Sequence, residues 1–119
     1  IIVLGHTGCG AIKAMVEEID DEEISSFINV AREGVEKAKT KCGCAGTHDE
    51  LLRHAEEEIV ILSAENLKSY PSVQTALAEN RVTIRPWLFD MASGELLQYD
   101  TDFKEFVPLT AHNKTSENA

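Results

Sequence analysis

The chain is poor in several residue types, and each shortage excludes a class of protein. Three cysteines in 119 residues are too few, and odd in number, for a secreted disulfide scaffold; this points to a reducing, cytoplasmic setting. Basic residues are scarce, 11 Lys and Arg against 21 Asp and Glu for a net charge of −10. A nucleic-acid backbone or an anionic membrane is therefore excluded as the main partner, because both select a basic surface. No apolar run approaches the roughly 18 residues of a membrane-spanning helix, and no charged segment leading into an apolar stretch marks a signal peptide. Three prolines and seven glycines form no internal repeat and no low-complexity block. What remains is 43% apolar and periodic, enough for the core of one domain.

Chemistry is concentrated at the start. Ile1-Ile2-Val3-Leu4-Gly5-His6-Thr7-Gly8-Cys9-Gly10-Ala11-Ile12 reads as an apolar strand, a glycine-rich turn and the first residues of a helix. Strand 1–4 lacks polar alternation, the pattern of an inner strand of a parallel sheet, and turns at the carboxyl ends of strands are where α/β folds build sites. His6 and Cys9 are both ligands for a borderline-soft cation such as zinc, and two intervening residues let both reach one ion. Taken alone the pair is half a metal site or two ordinary turn residues, since a catalytic zinc takes about three protein ligands and a structural one four. Gly5 and Gly10 also have the spacing of a P-loop, but Ala11 and Ile12 stand where Lys and Ser or Thr are required, so phosphate and magnesium contacts are missing.

Downstream, Ile12, Met15, Val16 and Ile19 have helical spacing. Asp20 to Glu23, a solvated acidic run, suits the start of a second helix, with Ile24, Phe27, Ile28, Ala31, Val35 and Ala38 as its stripe. Residues 41–47 read as a loop. A long helix over 49–69 follows, with Leu51, Leu52, Ala55, Ile59, Leu62 and Leu67 inward and Glu56, Glu57 and Glu58 on a solvated face. Pro71 suits the first turn of a short helix whose apolar face is Val73, Ala76 and Leu77. Val82 to Ile84 and Trp87 to Phe89 read as a strand interrupted by Pro86, with Trp87 and Phe89 as core residues. A turn over 91–94 leads to a hairpin partner at 95–99. Two or three strands do not make a covered parallel sheet, so part of the sheet is expected to come from elsewhere.

Other groups carry less. Cys42, Cys44 and His48 have C-x-C-x3-H spacing, read either as a second metal site or as an ordinary exposed loop. A small metal-sensing protein using His6, Cys9, Cys42 and Cys44 requires those residues to be close in space. His54 and His112 have no partner pattern, and Asn113-Lys114-Thr115 is a chance sequon without a secretory signal.

Taken together, three segments resemble the β-class carbonic anhydrases. Residues 1–11 are similar to that family's hydrophobic strand followed by G-H-x-x-C-G. Asn66-Leu67-Lys68-Ser69-Tyr70-Pro71-Ser72-Val73 resembles its N-L-x-x-Y-P-x-V junction, and residues 82–100 its closing strand and hairpin, with Pro86 in place of the usual glycine before the tryptophan. The resemblance implies an α/β fold with a mainly parallel sheet flanked by helices, a homodimer or higher homo-oligomer, a Zn2+ cofactor and reversible hydration of CO2 to bicarbonate. It implies that His6 and Cys9 are metal ligands. It places the family's other cysteine ligand, and the Asp and Arg of its C-x-D-x-R motif, on an earlier strand, so no catalytic residue is assigned within this chain. The expected organisation is a partial domain over 1–107, lacking its N-terminal strands, with a polar tail over 108–119, and negligible activity for these residues alone. The rival expectation is a non-catalytic relative or assembly module that keeps the fold but not the chemistry.

Overall fold

A computed structural model describes residues 1–17, 32–42 and 47–109. In chain order the elements are β1 (Ile2–His6), α1 (Gly10–Val16), α2 (Arg32–Cys42), α3 (His48–Leu67), α4 (Pro71–Ala78), β2 (Arg85–Phe89), β3 (Leu96–Asp100) and β4 (Glu105–Pro108). The four strands form one sheet in the order β1-β2-β3-β4. β1 and β2 are parallel, with Gly5 opposite Leu88 and His6 opposite Phe89; β2–β3 and β3–β4 are antiparallel. The α/β class expected from the sequence is present, and among the described strands the sheet is mixed, with one parallel pair.

Helix α3 organises the molecule. Thr47 caps it in a reciprocal box: the Thr47 hydroxyl accepts the Glu50 N–H at 3.2 Å and the Glu50 carboxylate accepts the Thr47 N–H at 3.2 Å. This satisfies two of the donors that every helix start leaves open. One face of α3 packs on β1 and β2, where Val60, Leu88 and Leu97 are buried with Val3 and Phe106 against them. Another packs against α1 and α2 in a second core of Ile12, Met15, Val16, Val35, Ala38 and Ala55. The strand–helix contact depends on Gly5, because a Cβ there would lie 2.3 Å from Val60 Cγ2.

Several expectations change. β1 lies at an edge of the described sheet rather than inside it, and Ile2 and Leu4 are 51% and 60% exposed. They share a face with His6, because side chains alternate along a strand, and among the described residues no helix packs there. Leu88, fully buried, is the core residue of β2, while Trp87 and Phe89 are half-buried on the opposite face. Residues 82–84 are not strand. Pro86 sits within β2 where β3 does not reach, since β2–β3 pairing runs over Trp87 to Phe89 only; its missing N–H is tolerated because that side is locally an edge. A fourth strand, β4, adds to the hairpin; it is short, and its Phe106 ring meets Tyr99 with centroids 5.3 Å apart. Ile19, residues 20–31 and Cys44 lie outside the described residues, as does the Cys42 side chain, so the C-x-C-x3-H reading is not decided.

Candidate metal centre

The strand-to-helix turn is built as its residue types require. His6 ends β1, and Cys9, in extended conformation, is the N-cap of α1. Between them Gly8 has φ +66°, a left-handed conformation that favours glycine. Thr7 is buried and ties the turn to the end of β2. Its N–H donates to the Phe89 carbonyl at 2.9 Å, and its hydroxyl accepts the Met91 N–H at 2.9 Å.

Each candidate ligand has a defined setting. His6 is exposed at the sheet end, and its Nδ1 lies 2.8 Å from the Thr7 carbonyl oxygen. A carbonyl only accepts, so the proton is on Nδ1 and the Nε2 lone pair is left for a ligand. This is the kind of second contact that orients metal-ligating imidazoles, and it could not be assigned from sequence. Cys9 is half-buried and forms no disulfide. Its backbone N–H donates to Glu56 Oε2 on α3 at 3.2 Å.

Glu56 corrects the reading of 56–58 as a solvated face: it is only 6% exposed. Burial pushes its carboxyl above the ordinary 4.5, an effect opposed by the Cys9 and Gly8 N–H groups and by the charges of Arg53 and His6. No periodicity in a run of three glutamates distinguishes the one that turns inward; only the approach of the turn to α3 does.

Beside Cys9 an open cleft of about 510 Å³ is lined by Thr7, Lys13, Asp49, Arg53, Glu56 and Asp90, among others. Arg53 bonds Glu57 through Nε at 3.0 Å and approaches Asp90 at 3.7 Å. The Ala92 N–H, with further contributions from Ser93 and Arg53, holds the Asp90 carboxyl below its ordinary 3.8. Elsewhere His48 Nε2 meets Glu17 Oε1 at 3.2 Å, an exposed contact between α3 and the end of α1. His54, given no role above, keeps Nδ1 unbonded, with Glu57 no nearer than 3.9 Å. Among the described residues no group of three or more His, Cys, Asp or Glu is placed to hold a metal ion; His6 and Cys9 share the turn between β1 and α1.

A parallel strand running into a glycine turn with His and Cys, capped by a helix and backed by a long helix, defines an α/β protein of the carbonic anhydrase kind. The carbonic anhydrase family model matches residues 1–96. Carbonic anhydrase 1 of Escherichia coli O157:H7 is 30% identical over 117 residues, covering 94% of this chain and 52% of that protein. Among solved structures, the β-carbonic anhydrase CcaA superposes with a TM-score of 0.76 at 22% identity, covering 98% of this chain and 56% of that one. A tetrameric β-carbonic anhydrase of Sordaria macrospora gives 0.74 at 15% identity, covering 82% and 50%. The chain belongs to the β-carbonic anhydrase family. It spans about half the length of the curated relatives it matches.

Proposed function

We propose that this chain contributes the His6–Cys9 half of a zinc site in an enzyme for the reversible hydration of CO2 to bicarbonate, a cytoplasmic lyase working as a homo-oligomer. The observation that carries this is the His6 ring, fixed through Nδ1 on the Thr7 carbonyl so that Nε2 is the available donor, three residues before Cys9. Membership of the family supports it, as does a tetrameric structural relative. The donor types fit zinc, but two are too few to hold it tightly. On this reading the remaining donors come from outside the described residues, and the 119-residue domain supplies the second half of the site.

The chemistry a bound zinc supplies is activation of water near neutral pH. The residues of this chain do the rest. His6 would bind through Nε2 with its Nδ1–H on the Thr7 carbonyl, and Cys9 would enter as a thiolate, so binding releases the thiol proton. Thr7 pins the turn to the end of β2.

Zinc content and CO2 hydration measured on the 119-residue chain test the proposal. Zinc is expected to be lost to a mild chelator, with hydration near the uncatalysed rate, and His6→Ala or Cys9→Ser should remove the residual zinc binding. One tightly held zinc with full hydration activity would overturn the half-site reading. Metal binding unaffected by either substitution would overturn the ligand assignment.

A further inference from the structure

Cys9 is the N-cap of α1, so its N–H lies outside the helix ladder and needs an acceptor from elsewhere. A water or a local side chain would serve. Instead the acceptor is a carboxylate on a different element, 47 positions away in sequence: Glu56 Oε2, 3.2 Å from the Cys9 nitrogen, on a residue 6% exposed. A carboxylate in such a place is costly unless it is bonded. Its α3 neighbour Ala55 is buried, and Glu56 lines the cleft with Arg53; an apolar side chain at 56 would fill the same space. What it would not do is bond the turn. The other side of the turn is already held, by Thr7 on Phe89 and Met91.

We propose that Glu56 is the positioning residue of the metal turn: its buried carboxylate accepts the Cys9 N–H and so sets the direction in which the Cys9 thiol is presented. Glu56 is not itself a ligand; it acts through the Cys9 backbone. This rests on the zinc reading for its purpose but not for its geometry, and the two are separable by experiment.

Three variants divide the roles of Glu56. Glu56→Gln keeps an acceptor oxygen at the same reach and removes the charge. Glu56→Asp keeps the charge and withdraws the acceptor by one methylene. Glu56→Leu keeps the volume and removes the acceptor. Two measurements are made on each: hydrogen exchange of the Cys9 amide in the metal-free protein, and the thiolate-to-cobalt charge-transfer absorption during titration with Co2+. The Cys9 amide is expected to exchange on the order of tenfold faster in the Asp and Leu variants, as a lost bond of this kind requires, with the amides of α1 and α3 unchanged. Cobalt affinity should fall by roughly 10–100-fold in the same two, the usual effect of removing a residue that orients a ligand. Gln should rescue both. Should the Leu variant fail to fold, the Gln and Asp variants decide the matter between them. Unchanged Cys9 exchange in Asp and Leu overturns the proposal, and so does equal loss in Gln. A parent protein with no thiolate–cobalt absorption overturns the zinc reading, while the exchange comparison still decides the role of Glu56.

Discussion

At the scale of single residues, the site depends on polar groups satisfied one at a time. Asp90 shows how this couples to pH. Its carboxyl is held below 3.8, chiefly by the Ala92 N–H, so the folded state prefers the charged form. That preference stabilises the fold above the unfolded pKa and is lost as pH falls through the lower folded value. Asp90→Asn should therefore lower stability at pH 7 and flatten the stability curve below about pH 4, as measured by urea unfolding across pH in the metal-free protein. Glu56 has the opposite sign. Its carboxyl is raised by burial, so its contribution is full below the ordinary 4.5 and declines as pH rises past it. The Asp90 pair with Arg53 was not legible in sequence, because 37 positions separate them and neither lies in a recognisable motif. His6 and Cys9 were legible, because their spacing is local and the glycines around them declare the turn.

At the scale of elements, two predictions follow from how α3 is begun and where it lies. Its start depends on the Thr47–Glu50 box, and Thr47→Ala should cost about 1 kcal/mol, read as a lower thermal midpoint with unchanged exchange of the Cys9 amide. Its placement depends on Gly5. A methyl there meets Val60 Cγ2 at 2.3 Å, and the β-branched Val60 has no free rotamer to yield. Gly5→Ala should destabilise by about 1–3 kcal/mol, and a Gly5→Ala/Val60→Ala double variant should recover part of that loss. Helix periodicity located α1, α3 and α4 within a few residues, because α1 follows a glycine turn, α3 has a long capped stripe and α4 begins at Pro71. It misjudged β2, assigning the core to Trp87 and Phe89 when Leu88 is inward, since strand parity is set by the partner strand and not by side-chain size. β4 escaped notice because four residues carry too little alternation to stand apart from a polar turn.

At the scale of the whole molecule, one face of the sheet is covered by α3 and the other is not, among the described residues. Ile2 and Leu4 on edge strand β1 are half or more exposed, beside half-buried Trp87 and Phe89. Exposed edges of this composition pair with other chains, in keeping with the proposed homo-oligomer. Light scattering should give a mass well above the 13.1 kDa of one chain, and Leu4→Lys should shift it toward the monomer without loss of helical signal. A monomer at all concentrations with Leu4 in place would count against association through β1. No described helix is long and apolar enough to cross a membrane, consistent with the absence of apolar runs in the sequence.

The amino-acid sequence by itself determined the strand-then-helix order at the start of the chain, the apolar stripes of α1, α3 and α4 and the placement of His6 and Cys9 in one glycine turn. All of these depend on periodicities and spacings of a few residues, which the chain carries locally. Only the tertiary structure decided that Glu56 is buried against Cys9, that Thr7 is tied to Met91, and that β1 lies at an edge of the described sheet. Those facts depend on groups many positions apart meeting across α3 and β2, where burial and hydrogen bonding, not composition, select which of several equivalent residues turns inward.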